Sequence, residues 1–398
     1  MEQYLSEKIK SLSESQTIAM SAKSREMKQN GLDVISLSLG EPNFNTPDFI
    51  KEAAKKAIDG NYTHYPPVSG YLEVREAISK KFKRDNNLNY SADQIVVSTG
   101  AKQSLANVIM SLVNEGDEVI VPTPYWVSYI ELVKLAGGIP IFLQTSTESE
   151  FKITADQLEK AITDKSRLMI FSSPCNPSGA VYNLDELKNL AKILKNHPSL
   201  FVIADEIYEL INFETQQASL ASFDEVYNQV ITVNGVSKGF AMTGWRLGYI
   251  GAPLWIAEAC TKMQGQITSA PSGISQKAAQ AAVEADPSDV KFMVSTFKKR
   301  RDLMLDLILS IDGVKCTTPP GAFYLFPDVS HYFGKSFDGR FINNADDLCM
   351  FLLEKGLVAL VTGDAFGNPE CLRISYAASE QDLIEAGNRI KNALALLS

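Results

Sequence analysis

The sequence is poor in histidine, and its cysteines follow neither a metal-binding nor a disulfide pattern. Only three histidines occur in 398 residues, and none stands at ligand spacing from a cysteine or a second histidine. The five cysteines are odd in number, widely scattered and without a C-x-x-C pair. We therefore expect no metal site, no disulfide frame, and reduced thiols in a cytoplasmic protein. An enzyme of this composition would transfer protons with other side chains.

Long apolar runs and basic runs are also missing. No apolar stretch approaches the ~20 residues of a transmembrane helix, and the opening residues, MEQYLSEKIK, lack the apolar segment of a signal peptide. Lys and Arg number 38 against 47 Asp and Glu, which gives a formal net charge of −9. A net-acidic chain without a basic run is a poor match for nucleic acid or anionic membranes. We expect neither as a partner, so any site for an anionic substrate must be local.

The sequence does contain a series of short β-rich runs between residues 95 and 253, separated by stretches long enough for helices. The runs are Ile95–Thr99, Glu118–Val121, Ile139–Leu143, Leu168–Ser172, Phe201–Ala204, Val230–Val233 and Leu247–Ile250. Strands that alternate with helices favour a mostly parallel sheet flanked by helices on both faces. We therefore predict an α/β fold, whose ligands would bind at the carboxyl ends of the strands.

The flanking segments predict a smaller α+β domain built from both chain termini. An apolar strand at 34–39 precedes Thr46-Pro47-Asp48, in which a cap hydroxyl and a helical proline would open a helix. Strand-like pieces at 322–326 and 357–361 precede a closing helix at about 380–397. The predicted units are an N-terminal arm (1–15), the first part of the small domain (16–48), the large domain (49–290) and the second part of the small domain (291–398).

Two strands of the large domain end in residues that can carry chemistry. The run 201–204 is followed by Asp205, and a lone carboxylate there is more commonly a helix cap. The run 230–233 is followed by Lys238 among Gly, Ser and apolar residues, with Arg246 eight positions later. A lone lysine after a strand is usually a solvated surface charge, but this combination is far more specific.

The segment Gly235–Gly248 resembles the lysine signature of fold-type I pyridoxal-phosphate (PLP) enzymes, and five further motifs of the chain fit the same family. The likeness is to class I aminotransferases, and within them to the bacterial aspartate aminotransferase branch. It covers essentially the whole chain and implies PLP as the cofactor of the large domain. The further motifs, in the family's order, are Gly40-Glu41-Pro42, Pro124-Tyr125-Trp126, Asn176-Pro177-Ser178-Gly179, Asp205-Glu206-Ile207-Tyr208 and Arg373-Ile374-Ser375-Tyr376.

The resemblance implies three residues that carry the chemistry. Lys238 would bind PLP as a Schiff base and move the proton at the substrate Cα, which requires burial or cationic neighbours to lower its pKa from about 10.4. Asp205 would keep the pyridine nitrogen protonated, and Tyr208 would hydrogen-bond the ring oxygen. Asn176 would be the second partner of that oxygen; a plain Asn-Pro turn residue is the structural alternative.

A cradle for the cofactor phosphate is also implied. Gly100-Ala101-Lys102 follow a strand and open a helix, where backbone N–H groups favour an anion; an ordinary strand-to-helix turn is the alternative. Ser237 and Arg246 would add side-chain contacts, with Ser237 replacing a hydroxyl that many relatives carry where this chain has Gly235. Tyr65 would reach the phosphate of a neighbouring subunit, which implies a homodimer with shared sites; a loop anchor is the alternative.

Substrate binding is assigned by resemblance as well. Arg373 would bind the substrate α-carboxylate through its two-donor fork, and the backbone N–H of Gly40 would meet the same group. Trp126 would stack on the cofactor ring and, with Asn176, contact substrate, although an aromatic residue at a strand end is more often core. The segment Gly321–Tyr324 is assigned to strand packing, without chemistry.

The preferred reaction is transfer of an amino group from L-aspartate to 2-oxoglutarate, by a ping-pong mechanism through pyridoxamine phosphate. A distal substrate carboxylate needs a second cation, and Leu12-Ser13-Glu14 lacks the lysine that some relatives carry there. Aromatic, alanine-like and prephenate-type substrates therefore stay open, as does a PLP-dependent β-lyase. A PLP-sensing regulator is disfavoured because no DNA-binding pattern is present, and a nicotinamide oxidoreductase because no G-x-G-x-x-G follows an early strand.

Overall fold

The computed structural model describes residues 4–213 and 218–398, so residues 1–3 of the predicted arm lie outside the described part. Its strands are β1 (Ile35–Ser36), β2 (Ile95–Ser98), β3 (Glu118–Pro122), β4 (Ile139–Leu143), β5 (Ser166–Ser172), β6 (Phe201–Asp205), β7 (Val230–Gly235), β8 (Gly248–Gly251), β9 (Tyr324–Leu325), β10 (Ser336–Phe337), β11 (Arg340–Phe341), β12 (Val358–Ala359), β13 (Val361–Thr362) and β14 (Leu372–Ser375).

The helices take up most of the stretches between the strands. They are α1 (Glu7–Lys10), α2 (Gln16–Gln29), α3 (Asp48–Asp59), α4 (Leu72–Asn86), α5 (Ala101–Leu112), α6 (Ser128–Leu135), α7 (Ala155–Ala161), α8 (Leu184–Leu194), α9 (Leu254–Ile267), α10 (Gly273–Glu284), α11 (Lys291–Leu309), α12 (Ala345–Lys355) and α13 (Glu380–Leu394). Within residues 4–213 and 218–398, no helix combines the length and apolar character needed to cross a membrane.

Seven strands form the central sheet, in the order β2-β8-β7-β6-β5-β3-β4. The pairs β3/β4, β3/β5, β5/β6 and β6/β7 are parallel, whereas β8 runs antiparallel to both of its neighbours, β7 and β2. The predicted α/β fold with a mostly parallel sheet is therefore confirmed. The carboxyl ends of β5, β6 and β7 lie side by side at one edge.

Helices cover both faces of this sheet. In β5, Leu168 and Ile170 pack into an apolar cluster with α5 and α9, while Met169 and Phe171 pack into a second cluster that includes α4 and α8. Successive strand residues point to opposite faces, so this alternation places one cluster on each side. All four side chains are buried, as a parallel sheet between helices requires.

Of the smaller sheets, the pair β1 and β12 joins segments from the two ends of the sequence. Strands β13, β14 and β9 form an antiparallel sheet, and β1 pairs in parallel with β12, with Ile35 opposite Val358. Helix α11 packs against α13 nearby. The domain boundaries at 48/49 and 290/291 stay predictions.

Two local predictions near the start of the chain differ from the structure. Of the predicted strand 34–39, only Ile35–Ser36 forms strand pairing. Thr46 does not cap α3: its hydroxyl donates to the carbonyl of Ala241 (2.7 Å) and accepts from the indole of Trp245 (3.0 Å). Both partners lie almost 200 residues away in the chain. Such long-range contacts compete with a local helix cap, and the local sequence pattern does not reveal them.

Candidate active site

A cavity of about 300 Å³ opens where β5, β6 and β7 end. Two predicted site residues, Gly100 and Tyr65, are not among the residues that line it, although Gly100 packs against Arg246, which does. The fold therefore gathers most of the predicted site from segments that are distant in sequence. Eleven of the thirteen predicted site residues line the cavity: Gly40, Ala101, Lys102, Trp126, Asn176, Asp205, Tyr208, Ser237, Lys238, Arg246 and Arg373.

Asp205 is the last residue of β6 and is buried. Its Oδ2 accepts a hydrogen bond from the Tyr129 hydroxyl (2.7 Å), and its Oδ1 accepts one from the backbone N–H of Ile207 (3.2 Å). Burial raises the pKa of Asp205 to about 6, against the lowering effect of these two bonds. No helix begins in the described residues 206–213 after β6, so the alternative role of helix cap does not apply. The carboxylate faces the cavity, where a cationic group would lower its pKa again.

Lys238 lies in the turn after β7, and its Nζ donates to the carbonyl of Gly40 (2.5 Å). Its ammonium group sits 5.7 Å from the centre of the Tyr208 ring. Burial, followed by the positive charges of Arg373 and Arg246, lowers the pKa of Lys238 to about 8, although Glu41 and Asp205 oppose the shift. An appreciable fraction of the amine is therefore neutral near neutral pH, as a nucleophile or general base requires.

Arg246 meets the start of α5 at the rim of the cavity. Gly100, the N-cap of that helix, has φ +84°, and a Cβ there would lie within 2.9 Å of the guanidinium carbon of Arg246. Only glycine allows this approach without strain. The guanidinium donates to the carbonyl of Thr243 (3.0 Å). A positive helix end beside an arginine that forms no ion pair among the described residues is a good site for a phosphate group.

Gly235 packs too tightly for a side chain. A Cβ on Gly235 would lie 2.9 Å from the Cα of Gly248 and 3.0 Å from the carbonyl oxygen of Leu247. Gly235 and Gly248 face each other across β7 and β8. A hydroxyl-bearing residue at 235 would have to push the strands apart, whereas Ser237 already lines the cavity. Among these two positions, the hydroxyl available to the cavity is that of Ser237.

Arg373 is held in β14 with 1% of its surface exposed. Its Nη1 donates to Oδ1 of Asn176 (3.0 Å) and its Nη2 to the carbonyl of Ser38 (2.5 Å). The guanidinium carbon lies 4.7 Å from the centre of the Tyr324 ring and 4.9 Å from that of Phe366. Burial lowers the pKa of Arg373, and its Nε has no hydrogen-bond partner in the described part of the chain. Such a buried guanidinium is ready to bind a carboxylate.

Trp126 and Lys102 form one wall of the cavity. The ammonium of Lys102 lies 4.9 Å from the centre of the Trp126 indole, and the indole packs edge-on against Tyr129 at 5.6 Å. Tyr129 also holds Asp205, so the position of the indole is tied to that of the carboxylate.

The family model for class I and II aminotransferases matches residues 32–390. The chain belongs to this family. A Petunia hybrida bifunctional aspartate aminotransferase and glutamate/aspartate-prephenate aminotransferase is 48% identical over 395 residues, which are 98% of this chain and 82% of that protein. The resemblance inferred from the motifs is thereby confirmed.

Solved structures of aminotransferases share the same fold. The aspartate aminotransferase from Rhizobium meliloti superposes with a TM-score of 0.96 at 41% identity, covering 99% of both chains. The enzyme from Thermus thermophilus, solved with maleate, gives a TM-score of 0.92 at 36% identity over 98% of this chain and 99% of that one. The enzyme class predicted from the sequence is therefore confirmed.

Sequence reasoning missed two tyrosines of this aminotransferase. Tyr129 holds Asp205, and Tyr324, assigned from the sequence only to strand packing, lines the cavity and meets the Tyr208 hydroxyl at 2.6 Å. The strand-like segment 322–326 could have pointed to Tyr324, because this residue carries the one polar group in an otherwise apolar run. Tyr65 is 97% exposed, and its contact with a second subunit stays a prediction.

Proposed function

We propose that this aminotransferase uses PLP to move the amino group of L-aspartate to 2-oxoglutarate. The observation that carries the proposal is the meeting of Lys238, Asp205 and Arg373 in one cavity. The names of the relatives from Petunia hybrida and Rhizobium meliloti support aspartate as the amino donor. The Thermus thermophilus enzyme was solved with maleate, and this dicarboxylate supports a substrate with two acidic groups.

The charges of the cavity fit PLP. Asp205 offers a buried carboxylate for a protonated pyridine nitrogen, and Lys238 offers an amine of lowered pKa. Arg246, Ser237 and the N-terminus of α5 would hold the phosphate. When bound, PLP supplies an electron sink for the charge that develops at the substrate Cα.

The residues of this chain would then bind the substrate and move its proton. Arg373 would fix the α-carboxylate through its two-donor fork, with Nε, which has no partner among the described residues, able to add a bond. Lys238 would hold the cofactor covalently and, once released, accept and return the proton of the substrate Cα. The carbonyl oxygen of Gly40 accepts a hydrogen bond from Lys238 Nζ (2.5 Å). The loop that carries Gly40 therefore forms the wall of the cavity beside this amine.

Cofactor orientation would rest on three further side chains. The Tyr208 hydroxyl would donate to the ring oxygen of PLP, and the Asn176 amide would supply a second bond because its Oδ1 is already committed to Arg373. Trp126 would stack on the ring. This arrangement links cofactor to substrate, since Asn176 contacts both in the proposal.

The test is a visible absorption spectrum of the purified protein before and after L-aspartate is added without any oxo acid. We expect a yellow band that aspartate bleaches and 2-oxoglutarate restores. A band that aspartate leaves unchanged would remove aspartate from the proposal while keeping PLP. A colourless protein, even after PLP is added, would overturn the proposal.

Prephenate is a second candidate acceptor, favoured by the name of the Petunia hybrida relative. Prephenate is a 2-oxo acid with a second carboxylate, so it presents the same two anionic groups as 2-oxoglutarate. Restoration of the bleached band by prephenate would support this acceptor. A band restored by 2-oxoglutarate alone would exclude it.

We further propose a homodimer with shared sites and a cytoplasmic location. The fully exposed ring of Tyr65 supports the dimer, as do the exposed apolar side chains of Tyr4, Leu5 and Phe49. The five cysteines are free thiols, which suits a reducing compartment. Sedimentation at micromolar concentration should give a mass near twice 43.7 kDa, and a monomer that retains full activity would contradict the shared site.

A further inference from the structure

Tyr324 joins the two sides of the cavity through its ring and its hydroxyl. The residue lies on β9, is completely buried, and stacks its ring against the guanidinium of Arg373 at 4.7 Å. Its hydroxyl lies 2.6 Å from the hydroxyl of Tyr208. It also fills the space beside Gly40, where a Cβ would collide with the phenol oxygen. One side chain therefore contacts the proposed substrate-binding and cofactor-binding residues together.

The hydrogen bond between the two tyrosines can run in either direction when considered alone. Each hydroxyl carries one proton and can accept further bonds. Burial raises the pKa of both groups, so each keeps its proton at neutral pH. If Tyr208 donates its proton to the cofactor ring oxygen, as the proposed function holds, Tyr208 can only accept from Tyr324. The direction of the pair is then determined.

We propose that Tyr324 is a positioning residue that donates to Tyr208 and thereby strengthens the bond from Tyr208 to the cofactor ring oxygen. A hydroxyl that accepts a hydrogen bond becomes a better donor, because consecutive bonds polarise each other. In this proposal the hydroxyl of Tyr324 acts through Tyr208, the group it meets at 2.6 Å. Its ring serves a separate purpose by supporting Arg373. This inference rests on the proposed function.

The test replaces Tyr324 with phenylalanine, which removes the hydroxyl and keeps the ring under Arg373. A bond donated to the ring oxygen stabilises negative charge there and lowers the pH midpoint of the visible absorption change of the holoenzyme. We expect Tyr324→Phe to raise this midpoint by about half a unit. The KM for the amino acid should stay within about twofold, while kcat falls several-fold. An unchanged midpoint would overturn the inference.

A double variant separates action through Tyr208 from a general structural effect. If Tyr324 acts only through Tyr208, the Tyr208→Phe/Tyr324→Phe variant should have the same midpoint as Tyr208→Phe alone. An added shift in the double variant would contradict the relay. Tyr376→Phe is the matched control, because this buried tyrosine of the same region donates to the carbonyl of Ala322 (3.1 Å) and is not expected to move the midpoint.

The same data separate this inference from the function on which it rests. A shift in Tyr208→Phe but not in Tyr324→Phe would overturn the inference and leave the proposed function standing. A wild-type protein that shows no visible band with PLP would overturn both.

Discussion

Asp205 and Glu206 follow each other in the chain, yet their carboxylates lie in opposite kinds of surroundings. Asp205 faces the cavity, together with Lys238, Arg246 and Arg373. Glu206 lies in a buried polar group that we call the Lys81 cluster. Its members are Lys81, Asn86, Glu206, Glu209 and Ser219.

The Lys81 cluster satisfies its own polar groups. Lys81 forms an ion pair with Glu209 and donates to Oδ1 of Asn86 (2.8 Å). The amide of Asn86 donates to Glu209 (2.8 Å) and to Glu206 (3.1 Å), and Ser219 donates to Glu206 (2.8 Å). Burial and the charge of Glu209 raise the pKa of Glu206 to about 8, so it holds a proton at neutral pH.

The cavity, in contrast, holds its charged side chains with hydrogen bonds to neutral groups and without ion pairs among the described residues. Among the ion pairs of residues 4–213 and 218–398, none involves Lys238, Arg246 or Arg373. Buried charges are costly unless they are paired. The charges of the Lys81 cluster therefore have partners within the protein, whereas the charged side chains of the cavity are available to a charged ligand.

The largest effect should follow from removing the amine of the cavity. We expect Lys238→Ala to lower turnover at least about 10⁴-fold and to abolish the covalent hold on the cofactor, because both the proton acceptor and the attachment atom are lost. Steady-state kinetics and mass spectrometry of the borohydride-treated protein would measure this. Lys277→Ala is the control, since Lys277 lies outside the cavity and pairs with Glu73 (3.1 Å). Wild-type rates in Lys238→Ala would disprove the role.

In the Lys81 cluster the corresponding change should affect stability instead. Lys81→Met leaves Glu209 buried without its cation, so we expect the free energy of unfolding to fall by about 3–5 kcal/mol. Urea unfolding gives the value, and Lys83→Met, an exposed change on the same helix, should cost less than about 0.5 kcal/mol. A loss of stability as small as that of Lys83→Met would show that Glu209 does not depend on Lys81 for its charge balance.

Truncation of the buried arginine should weaken substrate binding. Arg373→Ala removes the two-donor fork, and we expect the KM for the amino acid to rise by about 10²-fold, which corresponds to roughly 3 kcal/mol. Arg373→Lys should give an intermediate KM, because it keeps the charge but loses the planar fork. If Arg373→Ala kept the wild-type KM, the α-carboxylate would bind elsewhere.

The smallest effect should be a change in pH dependence. The folded pKa of Glu206 lies above its ordinary value of 4.5, so the folded state binds more protons than the unfolded state, and stability falls as the pH rises from about 4.5 to about 8. Glu206→Gln should flatten this fall in stability between pH 5 and 8, because the amide carries no proton that a rise in pH could remove. Urea midpoints of both proteins across that range provide the test. Parallel profiles would assign the pH dependence to other groups, such as Asp205.

The two regions also differ in how far the sequence predicts them. Lys238 and the turn at Gly100 were predicted because each follows a recognisable strand within a few residues and lies in a local pattern that resembles the aminotransferase family. Tyr129 and Tyr324 were not, because their partners lie 76 and 116 residues away in the chain. The Lys81 cluster likewise spans from α4 to the residues after β6, and Lys81 by itself looks like any helical lysine.

The hydrogen bond from Arg373 to the Ser38 carbonyl joins residues 335 positions apart. When β2 to β8 have left the ribosome, Asp205, Lys238 and Arg246 are already part of the emerged chain. The strand that carries Arg373, β14, is still to be translated. Contacts of such long sequence separation form late in folding. The cofactor side of the cavity can therefore take shape on the nascent chain, and the binding site for the amino acid is completed only after β14 has been translated.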